Sequence, residues 1–157
     1  MKLFVYNILL AFIWAVMNGA VNQRNLGIGF LVGFGILGAV RSDGQAASYF
    51  RKMARAIGFA LYFIKEMAVS TVRVTYDVLT PTLYTRPGII AIPLDAKTDA
   101  EITVLANVIS LTPGTLSLDV SPDRKTLYLH AMFIDDPDQL RREIKEGMEA
   151  RVLGVMR

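Results

Sequence analysis

The feature that most limits what this chain can fold into is its opening stretch, where Arg24 is the single charge between Leu3 and Val40. Residues Ile8 to Met17 are apolar without a break, and Leu26 to Val40 has no polar side chain. Two such runs, separated only by Asn22-Gln23-Arg24-Asn25, predict a helical hairpin. The first run, from about Leu3 to Val21, would cover roughly 30 Å as a helix, the thickness of a bilayer's hydrocarbon core. The second covers only about 22 Å and must borrow flanking residues, thin the bilayer or sit within a larger assembly. The first run also has the outline of a signal peptide. It lacks a strongly basic start and a second apolar run follows at once, so a retained helix is the expectation.

The second run carries Gly27, Gly29, Gly33, Gly35 and Gly38. In water each would cost a helix about 1 kcal/mol against alanine. In lipid the backbone must satisfy its own hydrogen bonds, so the helix persists and glycines become flat faces for close packing. Gly29 and Gly33 form a GxxxG pair and are the helix-packing candidates. Asn7 is the polar side chain within the first helix, suited to a hydrogen bond across helices.

Charge divides the chain. Residues 1–87 hold nine Lys/Arg and three acids, whereas residues 88–157 hold eight Lys/Arg and eleven acids. The excess base flanks apolar segments, which points to membrane lipids and the positive-inside rule and excludes nucleic acid as partner. Arg41, Arg51, Lys52 and Arg55 stand against Asp43 alone, placing this linker, and with it the amino terminus, on the cytoplasmic side. The absence of cysteine excludes disulfides, thiolate catalysis and Cys-based zinc sites.

Residues 54–79 read as an amphipathic helix. Lys52, Arg55, Tyr62, Glu66, Arg73 and Asp77 fall on one stripe and the other faces are apolar. Arg73 and Asp77 have i,i+4 spacing. A charge at the bilayer centre costs about 2.5–3.5 kcal/mol, which favours a helix lying along the interface. A third span with its polar stripe toward neighbouring polypeptides is the rival reading. Glu66 is the acid of most interest, as a proton carrier or as half of an ion pair.

Beyond Thr80-Pro81 and Arg86-Pro87-Gly88, the order is β-α-β-β-α. Ile90, Ile92 and Leu94 share a strand face. Thr98 and Glu101 form a capping box opening a helix to about Ser110. Leu116, Leu118 and Val120, then Leu127, Leu129, Ala131 and Phe133, alternate along two further strands, expected to form an antiparallel hairpin. The crossover should leave the first two strands parallel. Asp136-Pro137 opens a last helix with Leu140, Ile144, Met148 and Val152 at four-residue spacing, and with Arg142–Glu146 and Lys145–Glu149 on its wet side.

Catalytic and metal motifs are not evident. His130, the sole histidine, has no carboxylate at ligand spacing, Ser117 and Ser121 lack a base, and the glycine run has no phosphate-loop spacing or lysine. No catalytic, cofactor-binding or metal residue is assigned and no cofactor is implied. A single hairpin also provides no ion path by itself, since alternating access needs repeated bundles.

The runs Gly88-Ile-Ile-Ala-Ile-Pro-Leu94, Glu101-Ile-Thr-Val-Leu-Ala-Asn-Val-Ile-Ser-Leu-Thr-Pro-Gly-Thr-Leu-Ser-Leu-Asp-Val-Ser121 and Lys125-Thr-Leu-Tyr-Leu-His130 resemble the E subunits of the Mrp-type (Mnh or Pha) Na+/H+ antiporters. The resemblance covers essentially the whole chain and is most specific around Thr112-Pro-Gly-Thr115. It implies a multi-pass subunit of a bacterial or archaeal inner-membrane complex, with the other Mrp antiporter subunits as hetero-oligomeric partners. The role implied is accessory and non-catalytic, supporting assembly, and not enzymatic. A membrane-anchored module that recruits a soluble cytoplasmic partner is the alternative. The expected fold class is an α+β membrane protein. Residues 1–40 form a transmembrane hairpin, 41–80 a basic linker with the amphipathic or third membrane helix, and 88–157 a cytoplasmic β-α-β-β-α domain.

Overall fold

A computed structural model describes residues 2–40, 45–81 and 85–157. The chain forms two compact units, Met1–Ala54 and Arg55–Arg157. Arg41 and Asp43, part of the basic linker, lie outside the described residues.

The first unit contains α1 (Lys2–Met17), α2 (Gln23–Val40) and the opening turns of α3 (Gln45–Leu79). α1 and α2 run antiparallel, with Gly29 beside Ala11 and Trp14 and Gly33 beside Asn7 and Leu10. The turn between them is chemically specified. Asn18 donates from its side chain to the Trp14 carbonyl, and Gly19 takes φ +74°, the left-handed conformation that closes a helix. Asn22 then caps α2, its Oδ1 accepting from Asn25 N at 2.8 Å. The cap has a consequence for the expected boundaries: Gln23, Arg24 and Asn25 are not linker but the first turn of α2. α1 correspondingly stops four residues short of Val21. Among the described residues no helix is long and apolar enough to cross a membrane. The segment after the hairpin also departs from expectation, since α3 starts at Gln45 rather than near Ala54 and takes in Arg51 and Lys52.

The second unit is α+β. It comprises the rest of α3, β1 (Gly88–Pro93), α4 (Asp99–Leu111), β2 (Thr115–Val120), β3 (Thr126–Ala131), α5 (Pro137–Arg142), a π-helical segment Glu143–Glu149 and α6 (Ala150–Met156). The sheet order is β1-β3-β2. β3 is antiparallel to both neighbours, so β2 and β3 form the expected hairpin. β1 and β2 share a direction but do not pair, because β3 folds back between them.

One face of the sheet is buried by helices. Ile90, Ile92, Leu127 and Leu129 meet Leu105 and Ile109 of α4 and Ile144, Met148 and Val152 of the C-terminal helix. Each buried aliphatic side chain is worth about 1.5–3 kcal/mol. The four-residue spacing of the last helix is accommodated by the π segment, whose wider i→i+5 turns keep Ile144 and Met148 on one side.

β2 departs from simple alternation. Its register shifts between Ser117 and Asp119, leaving Leu118 as an extra residue. Leu116 and Leu118 therefore lie exposed on the outer face, while Val120 packs on the core. A bulge changes the phase of a strand by one residue, which a two-residue pattern cannot reveal.

Candidate functional site

The hairpin seam joins the polar and small residues of α1 and α2. Asn7 is completely buried, and its Nδ2 donates to the Tyr49 hydroxyl at 3.2 Å. Among the described residues its Oδ1 has no hydrogen-bond partner, and it stands where a Cβ on residue 33 would be. A Cβ on Gly29 would lie 2.8 Å from the Ala11 carbonyl oxygen and 2.9 Å from its Cα. The glycines thus face α1 at two heights, one against backbone and one against an amide. Gly38 makes a third close approach, to the Phe50 ring of α3. Gly27 and Gly35 have open space where a side chain would go.

On α3 the polar stripe is the face turned to the rest of the second unit. Arg55 donates to the Gly154 carbonyl at 3.3 Å. Arg151 lies 3.9 Å over the Tyr62 ring, whose hydroxyl abuts Gly147. Arg73 forms an ion pair with Asp135 at 3.1 Å and sits 4.2 Å over the Phe133 ring. That partner follows β3, and is not the residue one turn along α3 at Asp77. Asp77 is buried. Glu66 is 3.6 Å from Lys65 and lines a pocket of about 230 Å³ with Tyr62, Arg73, Thr112 and Glu143. The opposite face of α3, with Ile57, Leu61, Ile64, Val72 and Leu79, is exposed.

The Thr112-Pro-Gly-Thr115 run closes α4. Thr112 Oγ1 donates to Val108 O at 3.1 Å, and Thr115 Oγ1 to Ile109 O at 2.7 Å, so hydroxyls satisfy carbonyls that the helix end leaves open. Gly114 adopts φ +89° and its carbonyl accepts from Met132 N.

Two acids have roles that local pattern does not reveal. Helical spacing puts Glu149 on the wet side of the last helix, yet it is 1% exposed. Its Oε1 accepts from Asp95 N at 2.6 Å and Ala96 N at 2.9 Å, tying the helix to the β1–α4 loop. Lys145 stands 3.7 Å from the other oxygen and also pairs with Asp95. Glu101 completes the expected capping box with Thr98 but does more. Arg157 grips both its oxygens, at 2.8 and 3.2 Å. That fork, helped by the Lys97 and Thr98 N–H groups, lowers its pKa from 4.5 to about 2. Local spacing marks the capping box and the Lys145–Glu149 pair but not these long-range partners, which lie 53 to 56 positions away. Among the described residues no group of three or more His, Asp or Glu side chains is placed to hold a metal ion.

The chain matches, over residues 7–155, a family model described as Na+/H+ ion antiporter subunit. It is 36% identical over 149 residues to the E subunit of the Na(+)/H(+) antiporter of Alkalihalophilus pseudofirmus, covering 95% of this chain and 94% of that one. Against the protein of the same name from Bacillus subtilis it is 36% identical over 151 residues, with 96% of each covered. Among solved structures it resembles a chain of the Mrp complex from Dietzia, with TM-score 0.51, 29% identity, and 66% of this chain and 96% of that one covered. It also resembles a chain of the membrane-bound sulfane sulfur reductase, an archaeal respiratory membrane complex, with TM-score 0.60, 25% identity and 96% of each covered.

Proposed function

This chain belongs to the family of Mrp-type Na+/H+ antiporter E subunits, and from that premise we propose that it is an accessory, non-catalytic subunit that supports assembly of the complex. It is one component of a multisubunit, membrane-embedded antiporter and works as a hetero-oligomer with the other subunits. The observation that carries the accessory role is the bareness of the hairpin. Phe4, Ile8, Phe12, Ile13 and Val16 of α1, and Leu31 and Ile36 of α2, are all exposed, while the glycine seam and the contacts with Tyr49 and Phe50 of α3 are filled. Two helices apolar on their outer sides require lipid and neighbouring helices around them.

In this reading α1 and α2 cross the bilayer as a pair, with its short spans matched by neighbours and local thinning. α3 lies along the cytoplasmic interface. Support comes from its two faces: from Arg55 to Arg73 the polar side is engaged by the sheet domain, and the opposite side offers an apolar stripe. A helix so engaged by a water-facing domain is poorly placed to cross hydrocarbon as well. The sheet domain is then cytoplasmic. Glu66, next to Lys65, holds an ion pair and is not part of the proton path.

The test uses cells lacking this subunit, complemented with the wild-type chain or Glu66→Gln. Both should restore the intact complex and Na+-dependent proton exchange in everted vesicles, with the same pH profile. Protease should remove the sheet domain from everted vesicles and spare it in right-side-out ones. An assembled Glu66→Gln complex with exchange lost or its pH profile displaced would make the subunit catalytic. Exchange at full rate without the subunit would remove its role.

A further inference from the structure

The sheet of the second unit has a helix-covered face and a bare one. Register places Ile89 opposite His130 and His130 opposite Leu116, and Tyr128 opposite Asp119. With the bulged Leu118 these residues form one outer surface. Ile89 is 68% exposed, Leu116 50%, Leu118 47% and Tyr128 40%, so among the described residues nothing covers them. A cluster of large apolar side chains spanning all three strands is unlike the single exposed apolar residues of an ordinary surface.

We propose that this outer face is a docking surface for another subunit of the antiporter, one presenting apolar side chains and a Lys or Arg. The inference rests on the reading of the chain as an antiporter subunit and adds to it the place where a partner binds. Asp119 is the acid on the face, and it accepts only from the adjacent Val120 N–H among the described residues. A partner completes it with a cation. A bilayer surface is a poor occupant, because anionic lipid repels Asp119 and the face carries no Lys or Arg to attract it. A second copy is poor as well: a two-fold contact sets this face against itself, and the face has no Lys or Arg to meet Asp119. A handful of side chains is also well below the roughly 800 Å² per partner of a stable interface, so the face is one part of a larger contact, as in a hetero-oligomer.

The partner meets the face and not a strand edge. On β1 the Ala91 and Pro93 carbonyls are taken by Arg141 Nε at 3.1 Å and Lys145 Nζ at 2.8 Å. On β2 the Ser117 N–H is taken by Ser110 Oγ at 3.1 Å, and the bulge breaks the run. Both edges are thus blunted against strand addition.

The experiment uses the full chain expressed with the rest of the antiporter. A photo-crosslinking phenylalanine analogue is placed at position 118, and in a control chain at position 146, where exposed Glu146 stands on the helical side. Irradiation of membranes should join position 118 to one defined antiporter subunit and leave position 146 without that product. Separately, Leu118→Glu should lower the yield of co-purified complex about tenfold, the size of an interface anchor's loss, with the melting temperature of the isolated subunit unchanged. Capture of lipid, of a second copy or of a protein from outside the complex overturns the proposal. So does an absent crosslink with unchanged complex yield. If the wild-type chain itself fails to co-purify with antiporter subunits, the subunit reading fails first, and the two failures are told apart.

Discussion

Gly29 and Gly33 sit one turn apart on α2, but what stands opposite them differs. Behind Gly29 is the backbone of Ala11, which has no rotamer to change. Behind Gly33 is the Asn7 amide, a side chain that can be removed, with Leu10 Cβ at 3.0 Å as the next neighbour. Alanine at either position overpacks the seam, at a cost of about 1–3 kcal/mol. The prediction is that Asn7→Ala recovers part of the loss in Gly33→Ala and none of it in Gly29→Ala. Thermal unfolding of the detergent-solubilised protein would read this out, and equal behaviour of the two double variants would discount the contact with Asn7. The GxxxG spacing points to both glycines. It is silent on Gly38 against Phe50, because that contact depends on where α3 begins.

Among the elements, α3 shows how an amphipathic pattern fixes a helix without fixing its environment. The spacing of Arg55, Tyr62, Glu66 and Arg73 identifies one polar stripe, and solvent, a protein partner and a neighbouring domain all satisfy such a stripe equally well. The contacts choose the domain. At the tightest of them the Tyr62 hydroxyl occupies the space a side chain on Gly147 would need, in the middle of the π segment. Gly147→Ala should therefore lower the unfolding temperature, by the equivalent of about 1–3 kcal/mol. Tyr62→Phe should rescue it, since the ring carbon behind the hydroxyl is at an ordinary 3.4 Å. Failure of that rescue in a differential scanning measurement would show that α3 does not seat on Gly147. β2 makes the same point for strands: alternation identifies a strand, and the bulge at Leu118 decides which of its apolar residues reach the core.

At the scale of the molecule, the end of the chain is tied to its middle through Arg157 and Glu101, and this link has a pH signature. Glu101 titrates near 4.5 when unfolded and at about 2 when folded. A carboxyl lowered by folding stabilises the native state fully above its unfolded value and loses that contribution as pH falls through the folded one. The sheet domain's unfolding midpoint should drop between pH 4.5 and 2, and Glu101→Gln should flatten that slope. Asp123, held below its ordinary value by the Ser121 hydroxyl, contributes with the same sign. A slope unchanged in Glu101→Gln would mean that the fork contributes nothing to the fold. The amino-acid sequence alone determined the apolar hairpin, the β-α-β-β-α order, the capping box at Thr98 and the turn at Thr112–Thr115, since each depends on side chains within a few positions of the backbone they satisfy. The insertion of β3 between β1 and β2, the burial of Glu149, the Arg157 fork and the face that α3 turns inward were decided only by tertiary structure. Those contacts join residues about 50 to 100 positions apart or depend on competing strand pairings, and a local pattern has no means of ranking such alternatives.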